Sequence, residues 1–163
     1  MAQTPEPERI IGRYALFGEI AAGGMATVHL GRLLGPAGFA RTVAIKRLHP
    51  QFAKDPEFVS MFLDEARLSA RIHHPNVCST VDFGEADGTW FLAMEYLLGE
   101  SLASVVRAAA ETPGLLGSER WRGLVARLVA DAAEGLHAAH ELTDERGRPL
   151  GIVHRDVSPQ NVL

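Results

Sequence analysis

Apolar residues in the first 100 positions recur in short runs of strand length, interrupted by residues that force tight turns. Positions 14–34 read as strand, glycine-rich turn and strand, divided by Ala21-Ala22-Gly23-Gly24. Gly35-Pro36-Ala37-Gly38 makes a second turn, and Thr42-Val43-Ala44-Ile45-Lys46-Arg47-Leu48 then has the β-branched alternation of a third strand. Two more strands are expected over 77–83 and 89–96, joined by a turn at Gly84-Glu85-Ala86-Asp87-Gly88. The result is a five-stranded antiparallel sheet.

One helix interrupts the strands. Asp55 can accept a free backbone amide and Pro56 suits the first helical position, so a helix is expected from 56 to about 72. Its inward stripe reads Phe58, Met61, Phe62, Glu65, Leu68, Ser69 and Ile72, which puts a carboxylate among apolar side chains. Glu65 therefore calls for a cationic partner, since an unpaired buried charge costs roughly 3–5 kcal/mol.

Beyond position 99 the chain turns rich in alanine and leucine, predicting a short helix over 102–110, a break at Thr112-Pro113-Gly114 and a long helix over 119–142. Trp121, Leu124, Val125, Leu128, Val129, Ala132, Leu136 and Ala139 share one face of the long helix. That is more apolar surface than the following residues can cover, so further chain or a partner chain is expected on it. The organisation is a flexible polar leader over 1–9, a sheet-bearing unit over 10–98 and a helical unit over 99–163.

Composition narrows the function. Sixteen basic against twenty acidic side chains, with no basic block, give a net charge of -4 and no support for a nucleic-acid surface. The single cysteine, Cys78, excludes an internal disulfide and a zinc knuckle, which suits a cytoplasmic setting. The first twenty residues lack the basic flank and apolar run of a signal peptide, and no apolar stretch is long enough to span a bilayer.

Three separated elements carry chemistry when read together: Lys46 at the end of a Val-Ala-Ile-Lys strand, Glu65 on the helix, and His154-Arg155-Asp156 five residues before Asn161. In this order and spacing they resemble the signature set of the protein kinases, specifically bacterial eukaryotic-like serine/threonine kinases, over positions 14–163. The resemblance implies an α+β, bilobal kinase fold, present here as an amino-terminal part: the five-stranded lobe with its one helix, then the first helices and the catalytic loop of the helical lobe. ATP would lie between the two.

By the same resemblance, Lys46 anchors the nucleotide's phosphates and Glu65 holds Lys46 in place. Asp156 accepts the proton of the substrate hydroxyl, and Asn161 binds Mg2+. Ile20, Ala21, Gly23 and Gly24 belong to the phosphate loop, Val28 and Ala44 to the ceiling over adenine and Leu163 to its floor. Met94 takes the gatekeeping position, and Glu95 and Leu97 present backbone groups to the ring edge. His154 is assigned a packing role only. The partner implied is a protein bearing a serine or threonine hydroxyl.

The loop departs from the family's three-glycine pattern at Ala21 and Ala26, which implies less flexibility and a less close approach to phosphate. Ser158 stands where such kinases usually carry a lysine that contacts the γ-phosphate, removing one positive charge. No Asp-Phe-Gly motif is present in the 163 residues. Two other readings stay open: a non-catalytic nucleotide-binding or interaction module derived from a kinase, and a kinase-like enzyme acting on small molecules.

Overall fold

A computed structural model describes residues 6–163, and residues 1–5 of the expected leader lie outside it. The chain divides into two compact units. One comprises the residues up to 71 together with 78–96, the other 72–77 together with 97–163.

The first unit is a sheet of six antiparallel strands: β1 (Arg9–Ile11), β2 (Tyr14–Ala22), β3 (Ala26–Leu34), β4 (Ala40–Leu48), β5 (Thr80–Ala86) and β6 (Thr89–Glu95). Their spatial order is β1-β2-β3-β4-β6-β5. The expected count of five is thus short by one. β1 is only three residues long and gains its definition from pairing with β2, Ile11 opposite Tyr14, so no local periodicity announces it. Helix α1 (Pro56–Ser69) connects β4 to β5.

Two cores follow from the alternation of side chains across the sheet. On one face Ile11, Tyr14, Leu16, Val43, Ile45, Phe91 and Ala93 are buried together. On the other, Ala26, Leu48 and Leu92 pack against Phe62 and Ala66 of α1. The sheet curls, because its distant members are tied directly. Arg13 and the Tyr14 hydroxyl both donate to Asp82 of β5, at 2.8 and 2.7 Å, and the Arg9 guanidinium donates to Thr89 at 3.0 Å. Burial pushes the Asp82 carboxyl up, but these hydrogen bonds outweigh it and leave it below the usual carboxylate range. The Tyr14 hydroxyl is pushed up to about 12 by its burial and by that same carboxylate.

Helix α1 starts as expected, with Asp55 accepting the Glu57 amide at 2.9 Å. It ends three residues early. The Ser69 hydroxyl donates to the Ala66 carbonyl and also meets the Thr80 hydroxyl at 2.9 Å, an alternative to continued helix. The expected strand over 77–83 begins only at Thr80, since the Val77 amide closes a turn onto His74. It then runs on to Ala86, where Asp87 and Gly88, both at positive φ, make a two-residue hairpin turn in place of the five-residue turn expected.

In the second unit α2 (Leu102–Ala110) and α3 (Glu119–His140) are capped by Ser101 and Ser118, whose hydroxyls accept the amides of Ser104 and Trp121. Between them lies an open groove of about 730 Å³ lined by Val105, Ala109, Leu115, Trp121 and Leu124. Leu124 and Val129 of α3 are exposed. The segment 72–77 rests on this helix, with the Asn76 side-chain amide donating to the Asp131 carbonyl at 2.9 Å.

Close approach there requires Gly135, because a Cβ at that position would lie 2.8 Å from the Asn76 carbonyl oxygen. Alanine within a helix ordinarily adds about 1 kcal/mol over glycine. Overpacking against backbone costs about 1–3 kcal/mol, so Gly135→Ala is expected to lower the thermal midpoint. Gly123→Ala, on the same helix with open space around its Cβ position, should raise it. A rise with both substitutions would contradict this packing.

Candidate functional site

In the first unit, antiparallel pairing sets Val28 opposite Lys46, Lys46 opposite Leu92 and Ala44 opposite Met94. Val28, Ala44, Lys46 and Met94 therefore point from one face of the sheet, the face that α1 covers further along at Ala26 and Leu48. The apolar members form a short ceiling beside the ammonium group. Lys46 Nζ donates to both oxygens of Glu65, at 2.6 and 2.8 Å, and sits 5.9 Å from the centre of the Phe62 ring. The two predicted partners are joined.

Their surroundings differ from expectation. The Glu65 side chain is half exposed, and the buried position of the helix stripe belongs to its neighbour Ala66. An ion pair this wet contributes at most about 1 kcal/mol to stability. Its consequence is geometric: Glu65 fixes the direction in which Lys46 presents its remaining N–H.

Ile20, Ala21, Gly23 and Gly24 are exposed at the hairpin between β2 and β3. The Gly23 amide donates to the Ala26 carbonyl at 2.9 Å, closing the tip. Alanine at 26 has a structural reason, since its Cβ is buried against Leu48 and Phe62. Sequence reasoning missed the side chains that pin this hairpin. Met25 packs into the core beside α1, and its carbonyl accepts the His49 amide at 2.9 Å.

At the other end of the ceiling, the Glu95 carboxylate accepts the Ser79 amide at 2.7 Å, and its own amide donates to the Ser79 carbonyl. The side chain is thus committed to structure. Its carbonyl accepts from the weak donor Cys78 Sγ at 3.6 Å. Burial, then the Glu95 carboxylate, push the Cys78 thiol up to about 11, so it stays protonated near neutral pH.

In the second unit the loop 154–161 is built on itself. The Asp156 amide donates to His154 Nδ1 at 3.3 Å, and Arg155 between them adopts a left-handed φ of 64°. Asn161 Nδ2 donates to the Asp156 carboxylate at 2.9 Å and to its carbonyl at 3.0 Å. Both amide hydrogens being spent on Asp156, the Asn161 side-chain oxygen is left to other partners. Ser158 is half-buried and opens the one-turn helix that delivers Asn161. The Leu102 amide of α2 bonds the Val162 carbonyl, holding the loop's end. Leu97 and Leu163 both carry exposed side chains in this unit.

A preceding turn, which sequence reasoning left without a role, is braced by Asp144, whose carboxylate accepts the amides of Arg146 and Arg148 and the Arg148 guanidinium. Among the described residues no group of three or more His, Cys, Asp or Glu could hold a metal ion. Of the residues expected to meet a metal, Asn161 keeps its side-chain oxygen for one. That suits a Mg2+ ion held mostly by phosphate oxygens and water.

The chain is similar to known proteins over nearly its whole length. The chain is 45% identical over 151 residues to the tyrosine-protein kinase MasK of Myxococcus xanthus, covering 93% of this chain and 23% of that protein. It is 38% identical over 168 residues to the probable serine/threonine-protein kinase pknA2 of Bifidobacterium longum, covering 100% of this chain and 19% of the relative. The chain thus spans about a quarter or less of the curated relatives it matches. The crystal structure of the Mycobacterium tuberculosis PknI kinase domain superposes with a TM-score of 0.68 at 30% identity, covering 98% of this chain and 59% of that one. The family model described as the protein kinase domain matches residues 14–163, every candidate position above among them, and the chain belongs to that family.

Proposed function

We propose that the protein transfers the γ-phosphate of ATP to a serine or threonine hydroxyl of a protein substrate. The observation that carries this reading is the doubly bonded Lys46–Glu65 pair, which aims a fixed cation from a strand beside the apolar Val28, Ala44 and Met94.

In this reading Val28, Ala44 and Met94 hold one face of the adenine ring, and backbone groups of Glu95 meet its edge. Ile20, Ala21, Gly23 and Gly24 cover the phosphates. Lys46 neutralises charge on the α- and β-phosphates. Asp156 orients the acceptor hydroxyl and takes its proton as the oxygen bonds to phosphorus and the bond to ADP breaks. Mg2+, held in part by Asn161, would neutralise charge on the phosphates when bound. The activity is placed in the cytoplasm, where the single thiol of Cys78 stays reduced. No helix among the described residues is long and apolar enough to cross a membrane. The remainder of a helical lobe, or a partner chain, would cover the apolar face of α3.

A second reading of the acceptor, tyrosine, is favoured by Ser158 and by the relative named a tyrosine kinase. Phosphoamino-acid analysis of substrate labelled by the full-length protein separates the two. Phosphoserine and phosphothreonine are expected, whereas phosphotyrosine alone would establish the second reading and overturn the first.

A further inference from the structure

His49 lies outside every element assigned to nucleotide or substrate, yet its polar groups converge on the glycine-bearing hairpin and on the approach to α1. Its amide donates to the Met25 carbonyl at 2.9 Å. Its carbonyl accepts the amides of Phe52 and Ala53, at 2.9 and 3.2 Å, folding the segment that leads to the Asp55 cap. Its Nε2 lies 2.8 Å from the hydroxyl of Thr27, a residue 22 positions away that is buried directly after the hairpin tip. The ring stacks on Phe52, which in turn packs on Phe58 of α1.

We infer that His49 is a positioning residue that sets the height of the phosphate-covering hairpin, coupling it to the helix that carries Glu65. The inference rests on the kinase reading. A hairpin carrying alanine at 21 and 26 lacks the glycine pattern that lets a loop settle onto phosphates by its own freedom, so its position has to come from contacts. Thr27 and His49 supply a polar one that is part-buried, the Thr27 end of it inside the core, where a hydrogen bond is costly to leave unmade. The hairpin would touch phosphate both before and during transfer, so loosening it weakens nucleotide binding more than it slows the chemical step.

The test is steady-state kinetics of the full-length protein at varied ATP. Loss of one such hydrogen bond corresponds to about a fivefold effect, so His49→Ala should raise KM for ATP about fivefold and leave kcat within about twofold. Thr27→Val, which keeps the shape and removes the hydroxyl, should give the same rise, and the double variant no more than either alone. His49→Gln, whose amide reaches the place of Nε2, should restore KM to within about twofold of the unsubstituted protein. If His49→Ala fails to fold, Thr27→Val and His49→Gln carry the test. An unchanged KM in Thr27→Val, additive effects in the double variant, or a fall in kcat alone would overturn the inference. Absence of any ATP turnover by the unsubstituted protein overturns the kinase reading instead, and the inference with it.

Discussion

Asp156→Asn in the full-length protein is expected to slow phosphate transfer by about a thousandfold, within the range that a positioned general base supplies. The substitution is close to isosteric, and the side-chain oxygen that remains can still accept the Asn161 amide, so the loop should keep its shape. What is lost is the basicity that takes the hydroxyl proton. ATP affinity should stay within about twofold, because the nucleotide is assigned to other residues. Rapid-quench single-turnover measurement, with nucleotide titration in parallel, reads both quantities. A variant that transfers at the unsubstituted rate would remove Asp156 from the mechanism.

Lys46→Met should lower the transfer rate by about a hundredfold or more, the scale on which a single preorganised charge stabilises a transition state. Methionine is unbranched and of similar length, and it keeps an apolar stem beside Phe62. Glu65 is half exposed, so removing its partner strands no buried charge, and the change in folding stability should stay within about 1 kcal/mol. Loss of activity without loss of stability is the signature expected of a cation placed for chemistry. Equal losses of both, measured by transfer rate and thermal midpoint, would mark the pair as structural instead.

The sequence carried the local features of this fold that depend on neighbouring residues. Asp55-Pro56 marks the start of α1, and α2 and α3 begin where expected, at 102 and 119. What depends on distant pairing was hidden. β1 exists only because β2 offers it a partner, and α1 stops at Ser69 because a hydroxyl of β5 lies within reach. Helical periodicity puts both i+3 and i+4 beside a given residue, so Glu65 and Ala66 fit the stripe through Phe62 equally well, and the buried place goes to Ala66. Asp87-Gly88 is the exception, a strong local hairpin signal lying inside the longer turn expected over 84–88.

The chemistry shows the same division. Lys46, Glu65, Asp156 and Asn161 were recognised by order and spacing along the chain, and within each unit the structure brings the members of a pair to hydrogen-bonding distance. The His49–Thr27 contact had no such signal. A lone histidine after a strand fits many roles, and only the folded chain shows what its ring nitrogen meets.

The most direct test of kinase function is transfer of label from γ-labelled ATP by the full-length protein, with the Asp156→Asn variant beside it. Label is expected on substrate hydroxyls with the unsubstituted protein, and about a thousandfold more slowly with the variant. No transfer by the unsubstituted protein, or equal transfer by both, would contradict it.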